Sequence, residues 1–147
     1  MNYQKKLSTE EILKEIENGN TIDTNAIDFV EPKAQLNQLS RAILDKFKSF
    51  SKFATACYIS SSHLNEFLNG KKKFGRDKLI AICITLKYTI PETSQMLHRL
   101  GSTDLYSKNR RDFEILRCIK KGMTLDETNE HLLRNGLNDL YDKRKNP

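Results

Sequence analysis

The chain has 147 residues, of which 37% are hydrophobic and 30% charged. This is enough for one domain with a hydrophobic core, and no run of about 18 apolar residues is present to span a bilayer. An integral membrane protein is therefore excluded at this level, and the polar, acidic N-terminal stretch lacks the apolar segment of a secretory signal, so a cytoplasmic location is expected. There are 25 basic and 19 acidic residues, a net charge of +6. The charge is unevenly placed, with −3 over residues 1–33, +6 over 34–76 and +3 from 77 onward. A polyanionic partner is to be sought at the middle stretch.

Residues 8–18 read as a short helix. Ser8 and Thr9 are candidate N-caps, Glu11 has the capping-box spacing from Ser8, and Ile12, Leu13 and Ile16 form one apolar stripe. Gly19 closes it, and residues 19–33, rich in Asn, Asp and Thr and carrying Pro32, read as a connector. Residues 1–33 are thus expected to be a mobile N-terminal arm, with a single helical domain over 34–147.

From Gln35 to Phe47, apolar residues at 36, 39, 43 and 47 mark a helix with one buried face. Ser49 is placed to cap a second helix through about Cys57, and Ser60 a third through about Leu68, ended by Asn69-Gly70. The segment DKLIAICITL is apolar nearly all round. Its alternating Ile80, Ile82 and Ile84 also fit a strand, but polar flanks and helical neighbours favour a central buried helix.

Residues 76–106 repeat at 111–141, with 14 identities in 31 positions. Each copy carries a Thr-x-x-Glu capping box (Thr89 to Glu92, Thr124 to Glu127), then a Gly, then Asp-Leu-Tyr. A period of 35 residues also fits a superhelical array, but two copies fall short of the three or so such arrays need. The expected fold is all-α, with a duplicated two-helix extension behind a helical head. Leu97 and Leu132 are expected in the core, and Tyr106 and Tyr141 as packing anchors. Arg110-Arg111 is expected to face solvent or to pair with acids. The three cysteines, Cys57, Cys83 and Cys118, have no metal-site spacing and read as small core thiols.

The stretch 49–76, SFSKFATACYISSSHLNEFLNGKKKFGR, has helix, three-residue turn, helix and basic loop in the order of a helix-turn-helix. With Phe53-Ala54, Ile59-Ser60, Leu64, Phe67 and Asn69-Gly70 at their places, it resembles the phage-repressor-like (XRE-type) helix-turn-helix family. The segments FGRDKL, DLYSKNRRD and TLDETNEHLLRNGL are similar to a Gram-positive group within it, over about residues 35–141. The resemblance implies a repressor-like helix-turn-helix head at 49–70. It also implies base contacts by Ser61, Ser62, Asn65 and Glu66, and phosphate contacts by Asn69, Lys71, Lys72, Lys73 and Arg76. Tyr58 stands where the family's turn commonly has Gly, Phe50 where it often has Gln, Leu68 for a common Glu and Phe74 for a common Pro. Without the family, Lys71 to Lys73 read as a solvated loop and Ser60 to Ser62 as a redundant cap.

His63, His98 and His131 lie on separate predicted helices, with no nucleophile motif and no Gly-rich phosphate loop. The expectation is a non-enzyme without cofactor or metal: a bacterial transcription regulator that binds duplex DNA as a homodimer. The competing reading is a protein-interaction adaptor whose degenerate helix-turn-helix binds a regulatory or signalling protein.

Overall fold

The computed structural model describes residues 6–29 and 32–141, all in helices, turns and loops. The chain divides into two compact units, 1–31 and 32–147.

In the first unit, α1 (Thr9–Glu17) is capped by Ser8, whose hydroxyl accepts the Glu11 amide at 3.1 Å. Two of the three residues in its apolar stripe, Leu13 and Ile16, are more than half exposed, and Ile12 is half-buried. The connector has more structure than its composition suggests. Asp23 caps a single 3-10 turn at Thr24–Ala26, and the Leu7 amide donates to the Ala26 carbonyl at 2.8 Å, closing the segment back on its start.

The second unit opens with α2 (Pro32–Phe47), three residues earlier than periodicity indicates. Pro32 holds the first helical position, where a missing N–H costs nothing, and the polar first turn carries no apolar signal. Leu36, Leu39 and Ile43 are buried, as their spacing requires. After Ser49, α3 (Phe50–Ala56) and α4 (Ser61–Leu68) pack on each other and on α2. Phe53 meets Phe47 edge-on at 5.1 Å between ring centroids.

Helix α5 (Arg76–Thr85) decides the strand-or-helix ambiguity in favour of helix. Every residue from Leu79 to Ile84 is buried, so apolar residues on all sides serve a helix enclosed by its neighbours. α6 (Ile90–Arg99), α7 (Arg110–Lys120) and α8 (Leu125–Arg134) complete the unit. Both capping boxes form in full, at Thr89 with Glu92 and at Thr124 with Glu127.

The two copies of the repeat face each other. α5 packs on α8 and α6 on α7, so each copy's first helix meets the other's second. The ion pairs follow the same rule. Arg76 of the first copy binds Asp112 of the second, and Arg111 of the second binds Asp77 of the first. Each guanidinium also donates to its own copy's closing loop: Arg76 to the Thr103 and Asp104 carbonyls, Arg111 to those of Asn138 and Asp139. Reciprocal contact is the signature of a two-fold-related pair, whereas head-to-tail stacking joins different faces. The duplication therefore builds a closed four-helix body and not the start of an array.

Equivalent positions diverge where the copies meet different neighbours. Glu114 and His131 of the second copy stand where the first has Leu79 and Met96, replacing an apolar pair with a hydrogen-bonded polar one. Tyr141 is buried, but its counterpart Tyr106 is 60% exposed and so is no packing anchor. Tyr141 donates to Asp126, and the first copy has Pro91 at that place, which offers no acceptor.

Candidate nucleic-acid interface

Helix α4 starts where Ser60 accepts the His63 amide at 3.2 Å, so Ser60 is the cap; the Ser62 hydroxyl shares a 3.5 Å hydrogen bond with that of Ser60. Leu64 and Phe67 point into the core, and that fixes the outward face: Ser61, Ser62, Asn65 and Glu66 are all exposed on the opposite side. The helix ends as the sequence indicates. Gly70 takes a φ of +78°, and the Lys71 amide donates back to the Glu66 carbonyl at 2.8 Å, closing the last turn.

That closure launches the basic loop directly from the end of the exposed face. Asn69, Lys71 and Lys73 are exposed and Lys72 is half-buried. None of the three lysines forms an ion pair among the described residues. Eight of the nine residues that the resemblance implicates thus lie along one helix face and the loop that continues it.

Arg76 is the correction. Its Nη1 and Nη2 bind the two Asp112 carboxylate oxygens at 3.0 and 2.7 Å, while Nε and Nη2 reach the Thr103 and Asp104 carbonyls. This arginine clamps the repeat and is not presented to a phosphate. Burial acts to raise the Asp112 carboxyl, but the hydrogen bonds from Arg76 and the Tyr106 amide, with the charges of Arg76 and Arg111, outweigh it and hold Asp112 below the usual carboxylate range. The hydrogen bond with Asp112 correspondingly raises Arg76. Sequence spacing places Arg76 at the loop's end but says nothing of an acid 36 residues away.

The four residues that depart from the family's usual types all serve packing. Phe50, Tyr58 and Leu68 lie against the core, and Phe74 is part of it. Phe74 stacks on Phe67 with centroids 4.3 Å apart and planes 10° from parallel, and the Lys78 ammonium sits 4.9 Å above the ring. Tyr58 occupies the left-handed region at φ +58° in the turn between α3 and α4. Its phenol donates to Asp126 Oδ1 at 2.9 Å, tying this turn to α8.

The cysteines are all buried, Cys57 beside Thr85, with Cys83 beside Thr93 and Cys118 beside Thr128 at matching places in the repeat. Burial pushes the Cys57 and Cys83 thiols up to about 12, which keeps them protonated near neutrality. Among the described residues no helix is long and apolar enough to cross a membrane. No family model, curated protein or solved structure matches this chain.

Proposed function

We propose that the unit beginning at Pro32 is a sequence-specific duplex DNA-binding transcription regulator of the bacterial cytoplasm. In this reading α3 and α4 form a helix-turn-helix, α4 enters the major groove, and a homodimer supplies two half-sites. One observation carries it: an exposed polar helix face that runs straight into three lysines without ion-pair partners among the described residues. Asn65 is suited to bidentate pairing with adenine, Glu66 to accepting from the cytosine amino group, and Ser61 and Ser62 to several base edges. Asn69, Lys71, Lys72 and Lys73 serve the phosphates, and Arg76 is left out of that set because its donors are used internally.

The test is a pull-down of genomic fragments with the full chain, followed by sequencing of the bound DNA. A shared sequence motif that Asn65→Ala alters supports the proposal. Recovery of one protein partner and no enriched DNA replaces it with the adaptor reading.

A further inference from the structure

A groove of about 290 Å³ opens between the end of α4, the basic loop, α5 and the end of α6. Its volume is at the lower edge of the roughly 300–1,000 Å³ that small-molecule sites occupy. The stacked rings of Phe67 and Phe74 line it together with Leu36, Leu79 and Leu100. Lys72, Lys73 and Arg99 supply its charge, and among the described residues no acidic side chain lines it. Arg99 is held by a hydrogen bond to Gln35 Oε1 at 3.1 Å, while Lys72 and Lys73 form no ion pair among the described residues.

An apolar lining with three cations and, among the described residues, no anion selects for one kind of occupant. A neutral hydrocarbon would leave the cations unanswered, and a compact polyanion would answer the cations but make no use of the apolar wall, in which Phe67 and Phe74 are 4% and 8% exposed. We infer that this groove binds a small amphipathic carboxylate, with its hydrocarbon chain on Phe67 and Phe74 and its carboxylate toward Lys72, Lys73 and Arg99. Lys72 and Lys73 also belong to the phosphate set proposed above. On that reading, which this consequence alone requires, the ligand competes with DNA for the same two ammonium groups and acts as an effector that releases it.

The probe is octanoate, titrated into the full chain by calorimetry and by amide shift mapping, with octan-1-ol as the uncharged counterpart. The expected result is one saturable site with the largest shifts at Phe67, Phe74 and Leu100. Octan-1-ol should bind about tenfold or more weakly, and the Lys72→Gln/Arg99→Gln double variant should lose the octanoate preference while melting cooperatively. Absence of saturation, shifts centred elsewhere, or equal binding of acid and alcohol overturns the site. The duplex measurement is separate and uses sodium chloride at matched ionic strength as control. A chain that takes octanoate but no duplex at any salt keeps the groove and loses the DNA reading; a chain that binds duplex but gives no octanoate isotherm does the reverse.

Discussion

The Tyr58 ring lies flat against the Tyr141 ring, with centroids 4.1 Å apart and planes 11° from parallel, and both phenols donate to Asp126. A residue in a left-handed turn is thereby secured by the last residue of the repeat, 83 positions later. The left-handed conformation costs a non-glycine residue about 1–2 kcal/mol, and the stack and hydrogen bond offset it. Tyr58→Ala keeps the backbone cost and loses the compensation, so it is expected to lower stability by about 1–2 kcal/mol. A double-mutant cycle with Tyr141→Ala should give a coupling of about 0.5–1.5 kcal/mol in denaturant melts; additive losses would mean that the stack contributes nothing. Burial first, and then the Asp126 carboxylate, raise the Tyr141 phenol above its ordinary value of 10. That contribution is complete below pH 10 and is lost as pH rises above it, because the unfolded chain gives up the proton first.

The reciprocal arginines should not be equivalent. The Asp112 side chain is 8% exposed and that of Asp77 is 46% exposed. Arg76→Ala strands a buried carboxylate and is expected to cost about 2–4 kcal/mol, reduced from the full price of breaking a buried pair because Arg76 itself is partly exposed. Arg111→Ala leaves Asp77 able to hydrate, for a loss nearer 1 kcal/mol. Asp112→Asn in the Arg76→Ala background should recover part of the larger loss, and thermal melts of the four chains check the order.

Acid should loosen the second copy through Glu114. The hydrogen bond from His131 at 2.6 Å, working against burial and aided by the charges of His131, Arg117 and Arg110, holds this carboxyl below its ordinary 4.5. A carboxyl lowered in the folded state contributes stability above 4.5 and loses it as pH falls through the depressed value, since the unfolded chain takes up the proton first. The Glu114→Gln variant should therefore show a flatter decline of stability below pH 4.5 than the parent chain. An unchanged acid limb would assign the effect to other carboxyls, such as Asp112.

Leu97 and Leu132 are both fully buried at equivalent places of the repeat. Truncating either to Ala is expected to cost about 2–5 kcal/mol, and a loss below half a kcal/mol at both in chemical denaturation would contradict the packing described.

If duplex DNA is the partner, salt should separate the side chains. Lys72→Ala is expected to reduce the log–log slope of affinity against salt by about 0.9 on every sequence. Asn65→Ala should leave the slope nearly intact and change preference at one or two base pairs by about 1–3 kcal/mol. Arg76→Gln belongs to neither class, because its donors are engaged within the fold; its effect should appear in the melting temperature and not in the slope. Fluorescence anisotropy at several salt concentrations on matched and scrambled duplexes distinguishes the three.

Local chemistry was legible in the sequence by itself. Serine and threonine hydroxyls cap helices through amides three residues away, glycines admit the left-handed turns that stop them, and apolar spacing in α2 and α4 states which face is buried; all of this is decided within about one helical turn. The repeat likewise showed that two units share one design, and the outward face of α4 follows from the inward positions of Leu64 and Phe67. Which unit touches which, and through what face, lies beyond any local signal. Arg76 reads as one more cation of a basic loop until the second copy brings Asp112 to it, and Tyr58 reads as a misfit until Tyr141 covers it. Only the tertiary structure decides such partners, because an ion pair or a ring stack is fixed by where two distant segments meet in space, and sequence separation does not encode that distance.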